Sequence, residues 1–112
     1  MKSRRVRSLS ITPMLTNTEL KKRAEALYCL ELALYKEDYE NLKNLTNRSK
    51  IEEASIIMYK KYFTKNAPLE LNLPENLLRD VHTAFTNKEY NILDIVYLEV
   101  RIMLHQNLGM IV

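Results

Sequence analysis

The side chains that could carry chemistry in this sequence are few and scattered: one cysteine, two histidines and 14 acidic residues. Nucleophilic catalysis needs a nucleophile within hydrogen-bond reach of an activating base, and a metal site needs several ligands at recurring spacing. His82 and His105 fall on different predicted helices, and neither has a cysteine, histidine or carboxylate at ligand spacing. Asp80 precedes His82 by two residues, which on a helix turns the two side chains to different faces. Cys29 lies in a dense apolar row, where a cysteine serves as a small core residue rather than a thiolate. The only glycine is Gly109, so no phosphate-cradling loop is present. No catalytic residue, metal or cofactor is expected.

One polar pair stands out by position instead. In Ala67-Pro68-Leu69-Glu70-Leu71-Asn72-Leu73-Pro74 the two prolines exclude a continuous helix, because each lacks the N–H donor and restricts the residue before it. Leu69, Leu71 and Leu73 alternate with Glu70 and Asn72, the pattern of an extended segment with one face on a core and one in solvent. The segment is either a leucine-pinned connection between helices or a rigid loop that presents Glu70 and Asn72 to a partner.

The elements that hold this loop are helical. The chain has 112 residues, enough for one domain, with 46% hydrophobic and 28% charged residues. Abundant Leu, Glu, Lys, Ala and Met with a single glycine favour an all-α fold over a turn-rich β fold. Residues 1–13 read as a flexible basic arm and 14–112 as a single helical domain. Lys2, Arg4, Arg5 and Arg7 supply four positive charges, so the net +3 of the chain leaves −1 on everything after the arm. Four charges give only weak, salt-sensitive attraction to phospholipid or nucleic acid. No basic stripe with interleaved aromatics follows, so nucleic acid is not an expected partner. Ser8 and Ser10, downstream of these arginines, are candidate phosphorylation sites. A lone cysteine implies a reducing compartment, and no signal peptide or membrane span is expected. Asn44-Leu45-Thr46 and Asn47-Arg48-Ser49 match glycosylation acceptors but read as polar loop residues in that setting.

Three capping boxes mark helix starts: Thr16 with Glu19, Ser49 with Glu52, and Thr86 with Glu89. Leu15 with Leu20 and Phe85 with Tyr90 read as hydrophobic staples. The first helix is expected over residues 16–43. One apolar row holds Leu20, Ala24, Leu27, Leu30 and Leu34, and a second holds Tyr28, Leu32, Tyr35, Tyr39 and Leu42. Glu37, Asp38 and Glu40 read as its solvated face. The second helix reaches about residue 65 and buries Ile51, Ala54, Met58 and Tyr62, flanked by Ile56, Tyr59 and Phe63. A short third helix runs from about Glu75 to Phe85, with Pro74 in its first turn. The fourth is apolar nearly all round, with Leu93, Val96, Tyr97, Val100, Met103 and Leu104 on one side and Ile92, Ile95, Leu98 and Ile102 on the other. It is expected to end at Gly109. Four helices, long, medium, short and long, with short connections imply an antiparallel bundle. The second apolar side of the fourth helix, with the terminal Met110-Ile111-Val112, suggests a homodimer contact.

One stretch resembles a known family. Glu53-Ala54-Ser55-Ile56-Ile57-Met58-Tyr59-Lys60-Lys61-Tyr62-Phe63, then Asn66 to Pro74 as above, then Leu78-Arg79, is similar to the regulators of G-protein signalling, the RGS domains. That family has an Ala-led helix with Ile-Tyr and an aromatic pair, an Ala-Pro-x-Glu-x-Asn loop, and a short helix with an early arginine. Tyr28-Cys29-Leu30-Glu31 to Tyr35-Lys36 resembles its Phe-Trp-Leu-Glu to Tyr-Lys helix. The resemblance implies a four-helix bundle of the RGS bundle-subdomain type. It implies binding to the switch regions of a GTP-loaded Gα subunit and acceleration of GTP hydrolysis. It also implies a partner surface at Asn72, Glu70, Leu71, Pro68 and Glu25, and a cytoplasmic location, peripheral at the inner face of the plasma membrane. Three parts depart from the family, whose first three helices have at most Pro13 to Leu20 to represent them. Its Glu-Asn pair falls near Ala24-Glu25, and Leu104-His105-Gln106-Asn107-Leu108-Gly109 stands where Asp-Ser-Tyr-x-Arg-Phe is usual. A bundle used only for protein contact or self-association is the alternative.

Overall fold

The structure, a computed structural model, describes residues 16–109, and every regular element there is an α-helix. The basic arm with Ser8 and Ser10, the Leu15 staple and the segment 110–112 lie outside the described residues. The helices are α1 (Asn17–Ala26), α2 (Leu30–Lys43), α3 (Arg48–Tyr62), α4 (Glu75–Thr86) and α5 (Ile92–Leu108). They number five, because the expected first helix is two.

α1 begins at the first capping box. The Thr16 hydroxyl accepts from the Glu19 N–H at 3.1 Å, and the Glu19 carboxylate accepts from the Thr16 N–H at 3.1 Å. Bonds from the backbone and then the hydroxyl of Thr16 hold that carboxyl below its ordinary range. α1 stops at Leu27, where the chain reverses. The Tyr28 N–H donates to the Glu25 carbonyl at 3.2 Å and the Cys29 N–H to the Ala24 carbonyl at 2.8 Å. These are the two bonds of a Schellman motif, with Tyr28 in the left-handed position at φ 60°. A non-glycine residue there costs roughly 1–2 kcal/mol. No Gly, Asn or Pro announces this break; it comes from long-range packing. α1 folds back along α2, burying Leu20 and Ala24, and polar contacts line the seam. The Lys21 ammonium meets Glu37 at 3.0 Å, and the Asn17 amide donates to Glu40 at 3.4 Å. Tyr28 and Leu27, expected in the apolar rows, are 94% and 52% exposed.

Two other starts differ from expectation. Asn47, not Ser49, caps α3: its side-chain oxygen accepts from the Lys50 N–H at 3.1 Å. Thr86 caps nothing. Its hydroxyl donates to the His82 carbonyl at 3.0 Å within α4, and α5 starts only at Ile92. Between them a second Schellman motif closes α4, with Lys88 at φ 58° and the Glu89 N–H bonded to the Ala84 carbonyl at 2.8 Å. Gly109, at φ 67°, ends α5. Helices α2 to α5 hold 14, 15, 12 and 17 residues, so with α1 split off the first of them is no longer the long one.

α2 is central, packing on α1, α3 and α5, while α4 packs on α5. The core joins Leu32, Tyr35, Met58, Tyr62, Phe63, Val81, Val96, Val100 and Leu104, all almost fully buried. Ile56, expected inward on α3, is at the surface. Tyr35 packs edge-on to Tyr62 (5.2 Å between centroids) and Phe63 (5.8 Å), and its hydroxyl donates to the Leu93 carbonyl at 2.9 Å. Tyrosine hydroxyls also tie helices through carboxylates. Tyr39 donates to Asp94 (2.6 Å), Tyr62 to Asp38 (2.6 Å) and Tyr97 to Glu40 (2.9 Å). Asp38, Glu37 and Glu40 are thus interhelical ties rather than a solvated face, because burying these hydroxyls requires acceptors. Burial, reinforced by the carboxylate bonds, pushes Tyr39 and Tyr62 well above the ordinary phenol range. Burial alone would raise Glu40, but bonds from Lys36, Tyr97 and Asn17 hold it below its usual value. Lys36 is itself buried, 2.8 Å from Glu40.

Candidate functional site

The segment 63–74 leaves α3 and folds back on its last turn. A helix end leaves its final carbonyls without intrahelical donors. Here the Leu69 N–H donates to the Lys61 carbonyl at 3.1 Å and the Leu71 N–H to the Tyr62 carbonyl at 2.9 Å. Asn66 supplies the left-handed residue that turns the chain, at φ 64°, a conformation asparagine tolerates well. The Ala67 N–H closes on the Thr64 carbonyl at 3.1 Å and the Glu70 N–H on the Ala67 carbonyl at 3.3 Å. The loop is therefore bonded to α3 through its own backbone.

Its side chains alternate as the leucine spacing predicts. Leu71 (3%) and Leu73 (8%) are buried and Leu69 packs half-buried against the core. Pro68, Glu70 and Asn72 are exposed. Leu71 was expected on the partner surface; its burial makes it a pin that sets the heights of Glu70 and Asn72 instead. Among the described residues neither of those polar side chains has a partner. Pro74 precedes α4 at φ −54° and ends the extended run.

One tie under this loop was not legible in the sequence. Asp38 on α2 accepts from the Lys61 ammonium at 2.8 Å and from the Tyr62 hydroxyl at 2.6 Å. Lys61 and Tyr62 are the residues whose carbonyls receive the loop, so Asp38 fixes the platform on which the loop sits. The signal available was weak: an acid placed between Tyr35 and Tyr39 on one helix.

Glu25 lies exposed on the last turn of α1. α1 runs antiparallel to α2, with Asn17 beside Glu40 and Lys21 beside Glu37. α2 runs antiparallel to α3, with Tyr35 and Asp38 beside Tyr62. The 27–29 corner and the 63–74 loop therefore share one end of the molecule, and Glu25 belongs to that end. The opposite end, at 44–47 and 87–91, holds an open cavity of about 250 Å³ whose lining includes Leu42, Ile51, Ser55, Tyr90 and Asp94.

The residues considered for chemistry are occupied structurally. Cys29 is buried just before α2, where burial, then Glu31, pushes its thiol up. His82 is half-buried, its Nδ1 2.6 Å from the Tyr59 hydroxyl. His105 lies in the last turn of α5 and its carbonyl accepts from Gly109. Among the described residues no cluster of three or more His, Cys, Asp or Glu side chains could hold a metal ion. No described helix is long and apolar enough to cross a membrane. In comparisons with protein-family models, curated proteins and solved structures, nothing matches the chain.

Proposed function

We propose that this chain is a divergent RGS-type module that binds the switch regions of a GTP-loaded Gα subunit and accelerates GTP hydrolysis. One observation carries the reading: Asn72 stands exposed, without a partner among the described residues, between buried Leu71 and Leu73, on a loop bonded to the end of α3. A polar side chain held out by two buried neighbours is pre-organised, so little entropy is lost when it meets a partner. The resemblance over residues 53–79 supplies the partner's identity, and α2 to α5 are read as the bundle subdomain of that family. Pro68 and Glu70 border the contact, and Glu25 approaches from α1.

In this reading the module supplies no acid, base or nucleophile. It holds the partner's switch loops so that the partner's own glutamine and arginine meet the transition state in place, which is electrostatic preorganisation in trans. Its working location is the cytoplasmic side of the membrane, where Gα resides. Single-turnover GTP hydrolysis by Gα, with and without this chain, tests the reading. Faster hydrolysis is expected, and unchanged hydrolysis together with no binding to a transition-state-mimic form of Gα would end it.

A second reading has its own observation. Ile95, Leu98 and Ile102 form a stripe on α5, each just over half exposed, and favour a protein-contact or self-association module without GTPase acceleration. Concentration-dependent sedimentation, abolished by Leu98→Glu, would support it.

A further inference from the structure

The α1–α2 corner carries an apolar pair that the fold does not use. Tyr28 is 94% exposed, Leu27 is 52% exposed, and the Tyr28 phenol has no hydrogen-bond or ring partner among the described residues. Its backbone sits at φ 60°, a left-handed conformation that glycine adopts without strain and tyrosine does not. The second Schellman motif is an internal control. Lys88 takes the same position at φ 58°, but a lysine there leaves its ammonium in water, where it is best solvated. At Tyr28 the strained position instead holds an aromatic ring out in solvent. The reversal repays the backbone strain through its two bonds and the packing of α1 on α2, but nothing inside the fold calls for an aromatic ring at this position. Tyrosine suits an interface anchor: it buries a large rigid area with few rotors and keeps one hydroxyl for a hydrogen bond.

The corner also lies at the right end of the molecule. The antiparallel runs of α1, α2 and α3 bring it to the end that bears Asn72 and Glu70, with Glu25 one turn before it. We propose that Tyr28, flanked by Leu27, is the aromatic anchor of the partner surface. It inserts into an apolar pocket on the Gα subunit while Asn72 and Glu70 make the polar contacts. The inference rests on the Gα reading above. It requires on the partner an apolar pocket with a hydrogen-bond acceptor within reach of the phenol.

The test pairs affinity for Gα held in a transition-state-mimic form with thermal unfolding of the free chain, for wild type, Tyr28→Gly, Tyr28→Lys and Tyr28→Phe. Tyr28→Gly is expected to lose at least about tenfold in affinity, as an aromatic anchor does when truncated. Its Tm should hold or rise by up to about 5 °C as the backbone relaxes. Tyr28→Lys, which copies the Lys88 turn, should lose affinity similarly, and Tyr28→Phe should retain most of it. Binding of Tyr28→Gly within about twofold of wild type would overturn the anchor and leave the Gα reading standing. A fall in Tm beyond about 5 °C would overturn it too, because the ring would then be packing on its own fold. No binding by wild type would overturn both.

Discussion

The two ends of this molecule are built from the same parts and finished differently. Each has a Schellman reversal with a non-glycine residue in the left-handed position, Tyr28 at one end and Lys88 at the other. At the Lys88 end, polar groups near the core satisfy each other. Tyr90 donates to Glu52 at 3.0 Å, while Tyr39 and Lys43 meet Asp94 at 2.6 and 3.4 Å. At the Tyr28 end the bonds run through the backbone, and the outward side chains Glu70, Asn72 and Tyr28 have no partners among the described residues. The first arrangement closes a fold; the second leaves a rigid surface unspent. That contrast separates changes that should harm stability from changes that should harm partner binding alone.

The largest effect is expected at the pin. Leu71→Ala removes a buried leucine and should destabilise the fold by about 2–5 kcal/mol, read by denaturant unfolding, and should also loosen the loop. A cost below about 1 kcal/mol would mean that the loop is not seated as described. Asn72→Ala should leave unfolding unchanged and weaken the effect on Gα by about 1–3 kcal/mol, the cost of one lost buried polar contact. At the other end the signature reverses. Tyr39→Phe removes one bond to Asp94, which keeps Lys43 at 3.4 Å, and should cost about 0.5–1.5 kcal/mol of stability with no change toward Gα. If Tyr39→Phe altered partner binding as much as Asn72→Ala, the division between the ends would collapse.

The smallest and broadest effect is on pH. Burial, then carboxylate bonds, raises the tyrosines Tyr39, Tyr62 and Tyr97 in the folded state. The stability they contribute is therefore complete below the unfolded phenol value, near 10. It is lost as pH climbs above that value. Glu40 is lowered, so its contribution is complete above the unfolded carboxyl value and disappears as pH falls through the folded one. Thermal unfolding across pH should show a plateau between about 5 and 9 with a loss on both flanks. Tyr39→Phe should soften the alkaline flank. An alkaline flank identical in the variant would mean that Tyr39 does not contribute to it.

Local signals were legible and long-range ones were not. The Thr16–Glu19 box, the leucine alternation at 69, 71 and 73, the start of α4 after Pro74 and the stop at Gly109 each depend on a few consecutive residues, and each is where the sequence places it. The exposed stripe at Ile95, Leu98 and Ile102 was likewise visible in the surplus of apolar residues on one helix. The break at 27–29 was not, since residues 24–29 read as good helix and only packing of α1 against α2 and α5 opposes them. Two of the three expected capping boxes failed for local reasons of competition. Asn47 caps α3 from two residues further upstream, and the Thr86 hydroxyl turns back to its own helix. The acids on α2 give no local signal of their role, because their partners Tyr62 and Tyr97 lie 24 and 57 residues away. At the candidate site, Asn72 and Glu70 were visible as interruptions of a leucine pattern. Tyr28 looked like one more core aromatic until the chain reversed beneath it.

The proposed action of the Tyr28 end on a GTP-loaded Gα subunit runs through Asn72. Single-turnover GTP hydrolysis by Gα, measured with wild-type chain, with Asn72→Ala and with no addition, tests it most directly. Acceleration by wild type is expected and, from a loss of about 1–3 kcal/mol, roughly 5- to 150-fold less by Asn72→Ala at equal fold stability. Equal rates in all three, with the wild-type chain folded and unable to bind the transition-state-mimic form, would contradict it.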